Sequence, residues 1–279
     1  MAETAFQIQY RQEFISAFEQ RAALLRSTVT TEAVIKGNQA TFLVAGSGGA
    51  TAVTRGVNGL IPARADDLTQ LTATLAEWHD LVRKTGFNVF ASQGDQRRIM
   101  QETTMGVINR KIDADIIAQL DTATVDTGAA ATFSLAVAAK ALGILGLAEV
   151  PIEDVENMFG LLSPAGWAYL MQSAQYTSGD YVDVKPFNGP VRRMFRWFGV
   201  NWIMHPNLTG VATNAEKMYV FHRSAIGHAV DTAGIQSPTG YDEEQDYSYA
   251  RCSVFMGSKL LQNSGVVQII HDGSAIVGT

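Results

Sequence analysis

The chain has 279 residues, 47% of them hydrophobic and 17% charged, which is enough apolar material for a core and excludes disorder. Its 21 basic and 27 acidic residues leave a net charge of -6, which excludes a general nucleic-acid coat, because neutralising phosphates needs a basic surplus. The single cysteine, Cys252, excludes an intrachain disulfide and a multi-cysteine zinc site, and no apolar run is long enough to span a bilayer.

Met1-Ala2-Glu3-Thr4 has neither the basic nor the apolar region of a signal peptide, so the sequence predicts a protein that folds in a reducing cytoplasm. Residues 6–25 read as an amphipathic helix: Tyr10, Phe14, Phe18 and Ala22 recur every fourth residue, with Arg11, Glu13, Glu19 and Arg21 on other faces. This aromatic stripe needs a surface to cover it, on its own domain or on a neighbouring subunit. Residues 28–35 and 40–44 are rich in β-branched side chains and flank Gly37-Asn38, which predicts a hairpin. The glycine-rich stretches 45–50 and 55–59 suit no core and predict a projecting or mobile segment. Leu68, Leu71, Leu75, Trp78 and Val82 fit a helical period, whereas Thr69, Thr72 and Thr74 favour a strand; periodicity alone leans to helix.

The strongest element covers residues 95–120, where Met105, Ile108, Ile112, Ile116 and Leu120 form one stripe behind a Gly94-Asp95 N-cap. At about 1.5 Å per residue it predicts a strut of roughly 39 Å. Leu135, Ala139, Leu142 and Leu145 predict a second helix ending near Gly146. An apolar strand over 158–162 runs into Ser163-Pro164, with serine at the N-cap and proline at N1 of a further helix. Strands follow at 200–204 and 218–221, then a small helix at 224–229; this alternation predicts an α/β unit over about 130–230. After the 237–240 turn, strands over 249–261 and 266–270 close the chain.

The charge is segregated. Asp113, Asp115, Asp121, Asp126, Glu149, Glu153, Asp154 and Glu156 face a lone base, Lys140, in that stretch. Lys185, Arg192, Arg193 and Arg196 follow without an acid, and then come Asp242-Glu243-Glu244 and Asp246. Separated patches of opposite sign suit a protein that meets copies of itself, and equally the solvated faces of an ordinary domain.

The sequence contains no catalytic constellation, and it predicts no catalytic, cofactor-binding or metal-binding residue and no cofactor. His79, His205, His222, His228 and His271 are structural or surface residues, since the spacing of His222 and His228 fits no helical metal pair. No serine has the nucleophile-elbow context, and Ser163 is a cap. Gly46-Ser47-Gly48-Gly49 lacks the Gly-Lys-Ser/Thr ending of a phosphate loop. Asp113/Asp115 and Asp242/Glu243 read as solvated acids, and Cys252 as a small half-buried thiol.

Three stretches carry a resemblance to a known family. They are Phe90-Ala91-Ser92-Gln93-Gly94-Asp95-Gln96-Arg97-Arg98-Ile99, the return over residues 241–250, and Phe255-Met256-Gly257-Ser258-Lys259-Leu260-Leu261 continuing to Val267. With the order of parts, they resemble the major capsid protein of tailed bacteriophages, of Hong Kong 97-type fold. The resemblance implies an α+β fold with an N-terminal arm at 1–27 and an extended loop at 28–84. It further implies a peripheral domain with the spine helix at 85–129, an axial domain at 130–236, and a peripheral return at 237–279. It also implies that residues 68–82 are the loop's returning strand, against the periodicity.

By this resemblance the protein would not be an enzyme. It would self-assemble into pentamers and hexamers of an icosahedral shell, the virion capsid, made in the host cytoplasm and enclosing double-stranded DNA without sequence-specific binding. Its other expected partners are a portal protein and a separate scaffolding protein, since the sequence begins close to the arm helix; no membrane is implied. A net-acidic wall would not hold the genome by electrostatics. Two alternatives stand beside this reading: an encapsulin-type nanocompartment shell, which shares the fold, and an α/β enzyme with an unrecognised site.

Overall fold

The computed structural model describes residues 20, 22–31, 33–47, 49–64, 68–91, 96–173 and 193–276. The chain divides into two compact units, one made of Met1–Ala23, Glu77–Lys111 and Thr232–Phe255, the other of Leu24–Ala76, Ile112–Asp231 and Met256–Thr279. Most of the predicted arm helix, including Tyr10, Phe14 and Phe18, lies outside the described residues; residues 22–25 at its predicted end are not helical.

The first unit contains β4 (Ala76–Thr85), α1 (Gly86–Ala91), the beginning of α2 (Gln96–Leu120), β10 (Thr239–Asp242) and most of β11 (Tyr247–Leu260). Its strands lie in the order β10-β11-β4, with β10 antiparallel to β11 from Thr239↔Ala250 to Asp242↔Tyr247. Along β4, Trp78, Asp80, Val82 and Lys84 are half-buried while their neighbours are exposed, the alternation of a strand with one covered face.

The spine helix is unbroken over 25 residues, about 38 Å at the usual rise. The Gly94-Asp95 cap lies outside the described residues. Ile108, Ile112, Ile116 and Leu120 are buried as predicted, but Met105 is exposed; the buried row continues instead through Thr104 and Met100. Thr104 can occupy a core position because its Oγ1–H donates to the Gln101 carbonyl at 3.0 Å.

The second unit holds two sheets of its own. In the first, β1 (Val34–Lys36), β2 (Gln39–Ala45) and β3 (Leu68–Thr74) are antiparallel neighbours. Gly37-Asn38 makes the predicted two-residue turn, with Gly37 at φ +61°. Residues 68–82 form β3, a break at Leu75, and the start of β4, which overturns the helical period. β2 pairs with β3 at all seven positions, and the β-branched threonines fit the pleat, so leucine spacing does not decide. Ala40, Phe42, Ala73 and Ala229 form a small core, flanked by Ala33, Ile35, Leu75 and Leu261.

The other sheet has the order β12-β8-β5-β7-β6, made of β5 (Met158–Leu162), β6 (Met194–Trp197), β7 (Val200–Met204), β8 (Glu216–His222) and β12 (Val266–His271). Only β5 and β7 are parallel. β12 comes from the stretch given above to the peripheral return, and it pairs with β8 from Val266↔Phe221 to His271↔Glu216. α3 (Leu135–Leu147) packs on β12, and α4 (Pro164–Gln172) follows β5 through the predicted junction, where Ser163 Oγ accepts from Gly166 N at 3.0 Å. Gly160 on β5 makes room for Trp202 on β7: a Cβ there would lie 2.3 Å from the indole.

The predicted helix at 224–229 does not form. A single 3-10 turn, Arg223–Ala225, leads into β9 (Ile226–Val230), which pairs with β11 from Ile226↔Leu260 to Val230↔Met256. The distant ladder takes the backbone bonds that a helix would have made internally.

Candidate assembly surfaces

Asp113 and Asp115 are not a solvated pair. Asp113 is 1% exposed, and its carboxylate accepts from Leu24 N at 3.0 and 3.1 Å and from Leu25 N at 3.0 Å. His205, equally buried, places Nε2 3.4 Å from Asp113 Oδ2. Its Nδ1 accepts from Asn207 N at 3.2 Å, which leaves the ring proton on Nε2 pointing at the acid. A spine-helix carboxylate thus fixes the point at which the chain enters the second unit.

Asp115 accepts from Ser258 Oγ–H at 2.5 Å, and Ser258 Oγ lies 2.9 Å from His228 Nδ1. These are the residue types of a hydrolytic triad in the wrong order. Serine is in the middle and its proton is committed to the carboxylate, so His228 cannot act as its base. Burial outweighs the attraction of Asp115 and lowers the His228 pKa to about 4, which keeps the ring neutral. On the other side of the helix end, Asp121 accepts from Tyr219 Oη and Thr209 Oγ1, each at 2.5 Å, and pairs with Lys217 at 3.2 Å. Burial first, then the Asp121 hydrogen bond, raises the Tyr219 hydroxyl.

The remaining predicted residues are scattered. His79 is exposed on β4, 2.7 Å from Glu77. His222 caps the 3-10 turn by accepting from Ser224 N, and His271 accepts from Phe133 N at 3.1 Å. Cys252 is fully buried, not half-buried, and burial raises its thiol pKa. Among the described residues no group of three His, Cys, Asp or Glu side chains is placed to hold a metal ion. Among the described residues no helix follows the glycines at 46–49 before β3, as a phosphate loop would require.

The excursion between β2 and β3 has a different character. Its described residues from 49 to 64 are all exposed, Leu60 at 74%, with Val53, Val57 and Ile61 also open to solvent. A tight turn shapes its tip: Gly59 N donates to Gly56 O at 2.8 Å and Gly56 N to Leu60 O at 2.9 Å, with Gly59 at φ +73°. This segment buries none of its own apolar side chains, which is the signature of a surface meant to be covered.

The acidic turn at 242–246 is held within its own hairpin. Asp242 Oδ1 accepts from Glu244 N at 3.0 Å and Gln245 N at 3.2 Å, and Tyr241 Oη donates to Asp246. The Tyr247 hydroxyl is the main cause that lowers the Asp242 pKa, and Arg83 stacks on the Tyr247 ring at 4.8 Å. The acids at 149–156 and the bases at 193–196 are mostly exposed, with Lys185 and Arg192 outside the described residues. Sequence reasoning missed β6 and the burial of Asp113. The alternation Met194-Phe195-Arg196-Trp197 was a usable signal for the strand; nothing local signalled the acid.

Against known proteins, the family model for "Phage capsid protein" matches residues 2–272. No curated protein sequence matches the chain. Among solved structures, one from Mycobacterium phage Che8 superposes with a TM-score of 0.75 at 17% identity, covering 96% of this chain and 98% of its own. The capsid structure of cyanophage P-SCSP1u gives 0.66 at 15% identity, covering 97% and 94%. The capsid of an empty GTA particle gives 0.62 at 14% identity, covering 95% and 94%.

Proposed function

The chain belongs to the phage capsid protein family, and from that premise we propose how its parts serve a shell. Its α+β fold is of the Hong Kong 97 type that the resemblance implied, and its function is that of a major capsid protein, a structural component of the virion that associates with copies of itself. None of the matches described above is to an encapsulin or an enzyme.

In our reading the subunits form pentamers and hexamers that close into an icosahedral shell around double-stranded DNA. Residues 1–27 are the arm, and residues 28–84 are the extended loop that lies over a neighbour. Residues 85–129 with the return from 237 form the peripheral domain. Residues 130–236 form the axial domain, to which we add β12 because it completes that sheet. A separate scaffolding protein and a portal protein take part, and assembly proceeds in the host cytoplasm.

The observation that carries this reading is the 49–64 excursion, whose apolar side chains Val53, Val57, Leu60 and Ile61 are exposed to solvent. A shell protein needs many modest contacts, because closed symmetry multiplies weak ones. The test is expression of the chain alone and with a candidate scaffold, followed by sedimentation and negative-stain microscopy. Shells, pentamers or hexamers are expected; a discrete dimer under both conditions would contradict the reading.

A further inference from the structure

We propose that Asn58, followed by Gly59 at the tip of the excursion, is a site of spontaneous deamidation in the free subunit, where it becomes aspartate and isoaspartate. The inference concerns the free chain and does not depend on the assembly reading. The reaction needs an asparagine whose following backbone nitrogen can reach the side-chain carbonyl carbon, with water and base at hand. Asn58 is exposed, as is every described residue from 49 to 64. A Cβ built on Gly59 would meet no atom of the surrounding protein within 4 Å, so nothing crowds the attacking nitrogen. Gly59 itself brings no side chain to shield it.

Other asparagines are held by their side chains. Asn263 Oδ1 accepts from Thr124 N and its Nδ2 donates to Thr124 Oγ1, both at 2.9 Å. Asn201 Nδ2 donates to the Val155 and Met158 carbonyls at 2.7 and 3.1 Å. Neither is followed by glycine, and Asn188-Gly189, the same dipeptide as at 58–59, lies outside the described residues. One contact opposes attack at Asn58: Gly59 N donates to Gly56 O at 2.8 Å, so the turn must open first. A single water-exposed hydrogen bond favours the closed form by a factor of only about two to ten.

In the reaction, the Gly59 nitrogen gives its proton to solvent base and bonds to Asn58 Cγ. The Cγ–Nδ2 bond breaks, and Nδ2 takes up a proton and leaves as ammonia. Water then opens the five-membered imide. Cleavage at Cγ gives aspartate, and cleavage at the Asn58 backbone carbonyl gives isoaspartate. The sum is amide plus water to carboxylic acid plus ammonia, with nothing oxidised or reduced. The charged side chains of residues 49–64 are Arg55 and Arg64, so the product brings this segment its first negative charge. In isoaspartate the main chain also gains an atom between Gly56 and Gly59, which breaks the register of the turn.

The experiment incubates the full chain in mildly alkaline buffer, diluted until sedimentation finds no assembly, beside the same chain unfolded in urea. Trypsin cuts after Arg55 and Arg64 and releases residues 56–64, whose one asparagine is Asn58. Mass spectrometry follows the exchange of NH for O in this peptide, and isoaspartyl methyltransferase labelling identifies the isoaspartate. Native Asn58 is expected to convert within about tenfold of its rate in urea, the limit set by the one turn hydrogen bond, and faster at higher pH. Asn263 is expected to convert measurably only in urea, and N58Q to leave peptide 56–64 unchanged. An Asn58 that converts in urea but stays intact in the native chain overturns the inference, as does conversion at Asn263 matching that at Asn58 in the native chain.

Discussion

The Phe42 ring packs against Gly227, so close that a Cβ at 227 would come within 2.6 Å of two ring carbons. This contact pins the strand leading into the excursion to β9, in the same core as Ala40, Ala73 and Ala229. Overpacking of this kind costs about 1–3 kcal/mol. Gly227→Ala is therefore expected to lower the stability of the free subunit by that amount, and Phe42→Ala by about 3–5 kcal/mol. Denaturant midpoints measure both, and an unchanged midpoint for Gly227→Ala would show that the ring is free to move aside.

The buried Asp113 carboxylate predicts a larger effect than its surface-like sequence context allows. Asp113→Ala strands the Leu24 and Leu25 amides and His205, at a cost of about 3–5 kcal/mol for losing one partner of a buried charged network. Asp113→Asn keeps one acceptor oxygen and should cost less. Equal urea midpoints for wild type and Asp113→Ala would refute the anchoring role.

Stability should depend on pH in two opposing ways. The folded pKa of His228 is lowered by burial from the ordinary 6.5 to about 4. Its contribution is therefore present above pH 6.5 and is lost as pH falls toward 4, in full about 3 kcal/mol. His222 and His271, also lowered by burial, act in the same direction. Glu216 is raised by burial, so its contribution is present below the ordinary carboxylate range and is lost as pH rises through its folded pKa. His228→Gln should flatten the fall of melting temperature toward acid, and Glu216→Gln the fall that sets in as pH rises above the ordinary carboxylate range. Profiles parallel to wild type would count against both assignments.

Cys252 is fully buried and its thiol is raised by that burial, with Asp80 adding to the shift. A thiol reagent at neutral pH is expected to label the native subunit only at the rate of unfolding, and urea-unfolded chain at once. Rapid labelling of the native protein would contradict the packing around β11.

The excursion should separate folding from assembly. Leu60→Asp and Ile61→Asp alter side chains that are exposed in the subunit, so melting of the free chain should shift by no more than about 0.5 kcal/mol. Shell formation, followed by light scattering, should fall sharply, and undiminished assembly would remove the excursion from the contact surface.

What the sequence made legible was local. Ser163-Pro164 announced a cap that needs only three residues to complete, and the spine helix declared itself through side chains four apart. The spacing from Leu68 to Val82 pointed to a helix because leucines at helical spacing also fit a strand whose partner, β2, already exists; the resemblance implied the strand that forms. β9 was hidden because its ladder partner lies about 30 residues away, at 256–260. Asp113 was read as solvated because the amides it serves are 88 and 89 residues distant.

Ala45 and Leu68 are a cross-strand pair, so the excursion leaves and rejoins the protein at one spot, above a stem of seven paired positions. Chain inserted between them alters neither the stem nor the core beneath it. Doubling the length of such a segment costs only about 0.6 kcal/mol in closure entropy. The stem is in effect a socket, into which longer or shorter attachments, or a foreign peptide for display, can be fitted without redesigning the subunit that carries them.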